Sequence, residues 1–183
     1  VEMSVDAFIG ADFVVAQLEV PFEAIEQAFK IARKQNIITV LNPAPAIELP
    51  KSLLELTDII IPNETEAELL TGISINNESD MKETATYFLD LGISAVLITL
   101  GEQGTYCAYQ EQYKMIPACN VKAIDTTAAG DTFIGAFLSE LNKDLSNLES
   151  AIRLANQASS LTVQRKGAQA SIPTRKEVEA EYN

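Results

Sequence analysis

The feature that most constrains this chain is an alternation: short, near-continuous apolar runs of strand length, each followed by a stretch with one apolar helical face. Phe13 to Leu18 opens the pattern, and from Pro21 onward Phe22, Ile25, Ala28, Phe29 and Ala32 share a helical face. Ile37 to Leu41 is a second buried-type strand. Asn42-Pro43-Ala44-Pro45 stops it, because proline has no N–H to give a sheet. A short helix from about Pro50 and a strand over Asp58 to Ile61 follow, and then an acidic helix opens at Pro62-Asn63 and ends at Gly72. Asp80 to Leu91 reads as an amphipathic helix closed by Gly92, and Ala95 to Leu100 as an apolar strand running into Gly101 and Gly104. Strands that are apolar on both faces belong in a parallel sheet covered by helices on both sides, with ligands at the strand carboxyl ends.

The remaining segments modify that plan. Thr105 to Tyr109 and Tyr113 to Pro117, separated by Gln110-Glu111-Gln112, read as a hairpin that adds antiparallel strands. The small-residue run from Ala128 to Ala136 starts a helix, Leu148 to Val163 is another with an apolar face, and Thr174 with Glu177 has capping-box spacing for a terminal one. Neither repeat nor linker interrupts the 183 residues, so one domain over 1–183 is expected. The chain begins at Val1 without an initiating Met, and its opening segment is expected to enter a strand.

Composition narrows the chemistry. Thirteen Lys and Arg against 26 Asp and Glu give a formal charge of −13, which repels a phosphate backbone and argues against nucleic acid as a partner. An anionic nucleotide would need a divalent cation, local basic groups and backbone N–H donors to overcome the same field. There is no His, which removes a Ser-His triad, a His-ligated zinc and a histidine base. Cys107 and Cys119 lack the pairing of a metal knuckle, so free thiols and a cytoplasmic location are expected. The longest apolar runs fall well below the roughly 20 residues that span a bilayer, so no membrane partner is expected.

Asp125-Thr126-Thr127-Ala128-Ala129-Gly130-Asp131 stands between an expected strand and an expected helix with almost no side-chain bulk. Backbone can approach a ligand closely there, and N–H groups at the helix start would form an anion pocket beside Asp131. On these residues alone, a tightly packed helix capped by a carboxylate is an equally good reading. Asn63 and Glu66 are likewise hard-oxygen partners for magnesium, yet also an N-cap and its third-position carboxylate; the residues by themselves favour the capping role.

DTTAAGDTFIGAF resembles the C-terminal signature of the ribokinase/fructokinase family of carbohydrate kinases, and VLNPAPA, IPNETEAELLTG, ITLGEQG and RKGAQASIP occur in the family's order and spacing. The resemblance runs from about Gln17 to Pro173. It implies a ribokinase-like three-layer α/β/α fold, truncated at the N-terminus, with a mainly parallel central sheet plus an antiparallel hairpin. It also implies that 1–183 is the nucleotide-binding and catalytic part. The implied reaction is ATP-dependent phosphorylation of D-ribose at its 5-hydroxyl, with Mg²⁺ and K⁺. A related sugar or nucleoside, or a noncatalytic nucleotide-binding role, are the alternatives.

By the same resemblance Asp131 is the base that receives the sugar hydroxyl proton, and Ala128, Ala129 and Gly130 supply the anion hole. Asn63 and Glu66 make water-mediated magnesium and phosphate contacts. Thr99, Gly101 and Gly104 form a nucleotide-binding strand end and turn, and Asn156 contacts the base, although a polar helix residue is more often solvated. Glu19, at the end of the first strand, contacts sugar; without the resemblance it is a solvated carboxylate. Asp125, Thr127, Thr162, Arg165, Gly167 and Ser171 form the loop pair for a monovalent cation, mostly through carbonyls. The family's glycine-rich sugar-binding segment and small β lid have no counterpart here. The 183 residues alone are therefore expected to bind ATP weakly without turnover, while the full-length protein is compatible with a homodimer.

Overall fold

The computed structural model describes residues 2–182. Among the described residues six strands form one sheet in chain order: β1 (Phe13–Ala16), β2 (Ile38–Leu41), β3 (Ile59–Ile60), β4 (Ala95–Thr99), β5 (Gly104–Tyr109) and β6 (Gln112–Pro117). The first four are parallel, with Val14 opposite Thr39, Val40 opposite Ile59 and Ile60 opposite Val96. An antiparallel pair completes a mixed α/β sheet. Seven α-helices accompany it among the described residues: α1 (Phe22–Lys34), α2 (Lys51–Leu54), α3 (Glu64–Thr71), α4 (Glu78–Asp90), α5 (Ala129–Glu140), α6 (Leu148–Thr162) and α7 (Arg175–Tyr182).

The chain divides into two compact units, Val1–Leu100 with Tyr106–Lys114 and Gly101–Thr105 with Met115–Asn183. The first holds the four parallel strands and α1 to α4. On α1, Ile25, Phe29 and Ala32 are buried, as their spacing requires, while Arg33 and Lys34 complement the negative end of the helix dipole. β4 has lost nearly all solvent contact along Ala95, Val96, Leu97 and Ile98, as expected of a parallel strand covered on two faces. The opening segment differs from expectation. Glu2–Phe8 is a 3-10 helix, pinned where Phe8 packs with Ala32 and Ile37 against Ala11 and Val14, and β1 begins only after it.

The second unit is helical. Phe133 and Phe137 of α5 stack with centroids 6.2 Å apart. Val178 of α7 is buried with Ala158 and Leu161 of α6, and Ala136, Leu154 and Tyr182 pack around them. Burying such a valine contributes roughly 2 kcal/mol. α7 starts with the anticipated box: the Thr174 N–H and hydroxyl both donate to Glu177 Oε2 at 2.8 Å. The β5–β6 connection is tighter than the sequence implied, since Gln110 and Glu111 both take positive φ and form a two-residue turn, leaving Gln112 to start β6.

Candidate active site

In the second unit the start of α5 is built without a side-chain cap. Ala128, its N-cap, sits in the left-handed region at φ 61° and ψ 11°, a conformation that costs an alanine about 1–2 kcal/mol. Gly130, inside the first turn, has ordinary helical backbone and open space where a Cβ would lie. Neither a positive φ nor protein packing requires a glycine there, although glycine in a helix costs about 1 kcal/mol against alanine. Asp131 follows as the third helical residue, exposed, at the positive end of the dipole. Of the three expected anion-hole residues, Ala129 already donates its N–H to Thr126 O at 3.2 Å, a long turn bond.

Two α6 hydroxyls fix this turn, a role with no local signal in the sequence. Ser159 Oγ donates to Ala129 O at 2.9 Å, and buried Thr162 Oγ1 donates to buried Thr132 Oγ1 at 3.0 Å. The loop before α5 is tied to the loop after α6. Val163 O accepts from the N–H groups of Ile124 and Asp125, at 2.7 and 3.1 Å. Asp125 Oδ1 accepts from Thr127 N at 3.0 Å, and its Oδ2 accepts from Gly167 N at 3.1 Å. Hydrogen bonds from Thr127 first, then from the Gly167 N–H, together with nearby Lys166, lower the Asp125 carboxyl to about 2.

Asp125, Thr127 and Gly167 are thus brought together as expected, and Gly167 needs its glycine for φ 103°. Arg165 and Ser171 send their side chains elsewhere. The Arg165 guanidinium donates to Glu177 Oε1 at 2.8 Å, and Ser171 Oγ donates to Ala168 O at 2.6 Å. Both carboxylate oxygens of Asp125 accept backbone N–H groups, which holds the two loops together around an ionised carboxylate.

Gly104 and Asn156 belong to the same unit, and the structure gives each a reason within the fold. A Cβ on Gly104 would lie 2.2 Å from Ile116 O and 2.5 Å from Ala118 N, so β6 backbone occupies that space. Asn156 is buried rather than solvated. Its Oδ1 accepts from Thr105 Oγ1 at 2.9 Å, and its Nδ2 donates to Ile116 O and Pro117 O at 3.1 and 3.2 Å, which braces the hairpin. Gly101 is exposed at φ 53° with open space around it.

In the first unit, Asn63 and Glu66 form a closed capping box on α3. Asn63 Oδ1 accepts from Glu66 N at 2.9 Å, Glu66 Oε2 accepts from Asn63 N at 2.9 Å, and Asn63 Nδ2 donates to Glu66 Oε1 at 2.8 Å. The capping reading of these residues is therefore realised in full. Glu66 is 5% exposed, and burial pushes its carboxyl up, with the Asn63 N–H partly opposing. Beside it Thr99, at the end of β4, bridges Asn63 in parallel fashion and donates its N–H to Pro62 O at 2.9 Å. Glu19 is exposed in the turn after β1.

Among the described residues no three acidic or thiol groups cluster as a metal cage. Asn63 and Glu66 bring an amide and a carboxylate oxygen to one place, the kind of donor magnesium takes through water. Asn42, outside the expected site residues, stands at the same strand ends: its Oδ1 accepts from Gln17 Nε2 at 2.8 Å and its Nδ2 donates to Ile61 O at 2.8 Å. The signal was the Asn-Pro step that stops β2.

The chain is similar to known proteins. A ribokinase of Staphylococcus aureus (strain COL) is 65% identical over 173 residues, covering 94% of this chain and 57% of its own length. The bifunctional ribokinase/ribose-5-phosphate isomerase A of Fructilactobacillus sanfranciscensis is 52% identical over 172 residues, covering 94% of this chain and 32% of that protein. The structure of Arabidopsis thaliana ribokinase complexed with ribose and ATP matches with a TM-score of 0.92 at 31% identity, over 98% of this chain and 58% of that one. The chain thus spans a little over half the length of the Staphylococcus and Arabidopsis proteins. Residues 4–175 match the pfkB family carbohydrate kinase pattern, and with these relatives beside it the chain belongs to the pfkB family of carbohydrate kinases.

Proposed function

We propose that the protein containing this chain phosphorylates D-ribose at its 5-hydroxyl with ATP, releasing ADP, and that residues 1–183 are its nucleotide-binding and catalytic part. The observation that carries this reading is the start of α5: an uncapped helix N-terminus with a left-handed Ala128, an uncrowded Gly130 and an exposed Asp131. Uncapped N–H groups stabilise charge on a transferring phosphoryl group, and a carboxylate beside them can take a proton from an attacking hydroxyl. The relatives named ribokinase, one of them complexed with ribose and ATP, support the choice of substrates.

In this reading Asp131 orients the ribose hydroxyl and accepts its proton as the oxygen bonds to the γ-phosphorus and the bond to ADP breaks. Backbone N–H groups at Ala128, Ala129 and Gly130 hold the phosphoryl oxygens. Asn63 and Glu66 hold Mg²⁺ and phosphate through water, and the bound ion supplies charge neutralisation for the triphosphate. Thr99, Gly101 and Gly104 line the nucleotide, Asn156 supports the base subsite, and Glu19 contacts the sugar. The loops carrying Asp125, Thr127, Thr162, Arg165, Gly167 and Ser171 hold K⁺. No helix among the described residues is long and apolar enough to cross a membrane. A cytoplasmic enzyme without nucleic-acid partners, compatible with a homodimer, completes the proposal.

A coupled ADP-release assay across several sugars and nucleosides, run on the 183-residue chain and on the full-length protein, tests it. Ribose-dependent release that requires Mg²⁺ and rises with K⁺ is expected from the full-length protein. Release only with another acceptor would reassign the substrate, and no release with any acceptor would sink the kinase reading.

A further inference from the structure

We propose that Asn42 is a positioning residue that ties the sugar-contacting end of β1 to the metal-contacting end of β3; this rests on the roles proposed above for Glu19, Asn63 and Glu66. Asn42 is the first residue beyond β2, and its main-chain and side-chain bonds reach both neighbouring strands. Its N–H donates to Ala16 O at 3.0 Å, continuing the β1 ladder by one rung. Its Oδ1 accepts from Gln17 Nε2, two residues before Glu19. Its Nδ2 donates to Ile61 O, two residues before Asn63. The line of bonds continues one strand further, because Pro62 O accepts from Thr99 N at 2.9 Å.

This line crosses the carboxyl edge of four parallel strands, where a sheet of this type presents its ligand groups. The chain has just left regular pairing there. Pro43 follows Asn42 and Pro62 follows Ile61, so neither next residue has an N–H with which to extend a ladder. An amide solves the problem because it offers an acceptor on one side and a donor on the other. Aspartate keeps the acceptor and loses the donor; leucine loses both. The sequence needs an asparagine at this position only if both bonds matter.

The two arms make separate predictions. Gln17→Met cuts the β1 arm and leaves the β3 arm in place. Asn42→Asp keeps the bond from Gln17 and sets a carboxylate against Ile61 O. Calorimetry on the full-length protein with D-ribose, and separately with Mg²⁺ and a nonhydrolysable ATP analogue, reads binding without turnover. Gln17→Met should weaken ribose about five- to tenfold with magnesium–nucleotide affinity within about twofold, and Asn42→Asp should do the reverse.

Lower melting temperatures with both affinities unchanged, or both affinities lost equally in both variants, would overturn the proposal by showing a purely structural brace. Should Asn42→Asp fail to fold, Gln17→Met alone still decides, since an unselective or absent effect on ribose refutes it. Wild type and Asp131→Asn run in the ADP-release assay separate the two levels. A working wild type, a dead Asp131→Asn and unselective brace variants defeat only the role of Asn42. A wild type inactive on ribose overturns both.

Discussion

The N-termini of α3 and α5 solve the same physical problem in opposite ways. Every helix start leaves N–H groups without partners. On α3 the chain supplies its own: Asn63 and Glu66 exchange three hydrogen bonds, and the buried carboxylate closes the end. On α5 the N-cap is an alanine with no side chain to give, held in a conformation alanine disfavours, and the first turn carries a glycine that packing does not require. A self-satisfied end adds stability wherever it occurs. An open end that costs stability on two counts is what the proposed phosphoryl-transfer site calls for.

The largest test of this contrast is Asp131→Asn. Removing the proton acceptor at the open end should lower kcat for ribose phosphorylation about a thousandfold while ATP binding, read by calorimetry, changes little. Full activity would remove Asp131 from the chemistry. Next comes Gly130→Ala, for which stability and function should move in opposite directions. A methyl in the first turn of α5 improves helix propensity by up to about 1 kcal/mol, yet occupies the space left for the anion, so kcat/KM should fall about a hundredfold as the melting temperature holds or rises. Parallel losses of both would mean that the glycine serves packing and that the two helix ends do not differ in kind.

At the closed end, Asn63→Ala should cost about 1 kcal/mol of unfolding free energy in chemical denaturation, the usual loss for an N-cap. A loss confined to magnesium–nucleotide binding with unchanged stability would show that the box is a ligand site first and a cap second.

How much of this could be read beforehand follows from the range of the interactions. The capping boxes at Asn63 and Glu66 and at Thr174 and Glu177 lie within three residues, so residue type and spacing were enough. The strands were visible because parallel strands are apolar throughout, and their ends because Pro43, Pro62 and Gly101 interrupt them. Properties set by distant chain were not legible. Nothing local says that the space at Gly104 is filled by the backbone of Ile116 and Ala118. Asn156 has the look of a solvated helix amide, and only the fold shows that Thr105, fifty-one residues away, and the β6 carbonyls engage it. The left-handed Ala128 had no local signal, because alanine does not ask for that conformation. The hydroxyls of Ser159 and Thr162 impose the turn from another helix.

The smallest expected effect concerns the loop that leads into the open end. Asp125 accepts N–H groups from Thr127, next to Ala128, and from Gly167 across the loop pair, and its carboxyl is lowered from 3.8 to about 2. A depressed folded value means that its contribution to stability is present above 3.8 and is lost as pH falls from there through about 2. Wild type should therefore lose melting temperature through that window more steeply than Asp125→Asn, whose amide does not titrate, and the two curves should converge at the acid end. The contribution is modest because the carboxylate faces solvent. If Asp125 also holds the activating cation, the same variant loses K⁺ stimulation at neutral pH, where the wild-type carboxylate is ionised. Retained K⁺ stimulation with the acid limb gone would leave Asp125 as a loop clasp. In that case the open end of α5 would be braced by hydrogen bonds alone, as the closed end of α3 already is.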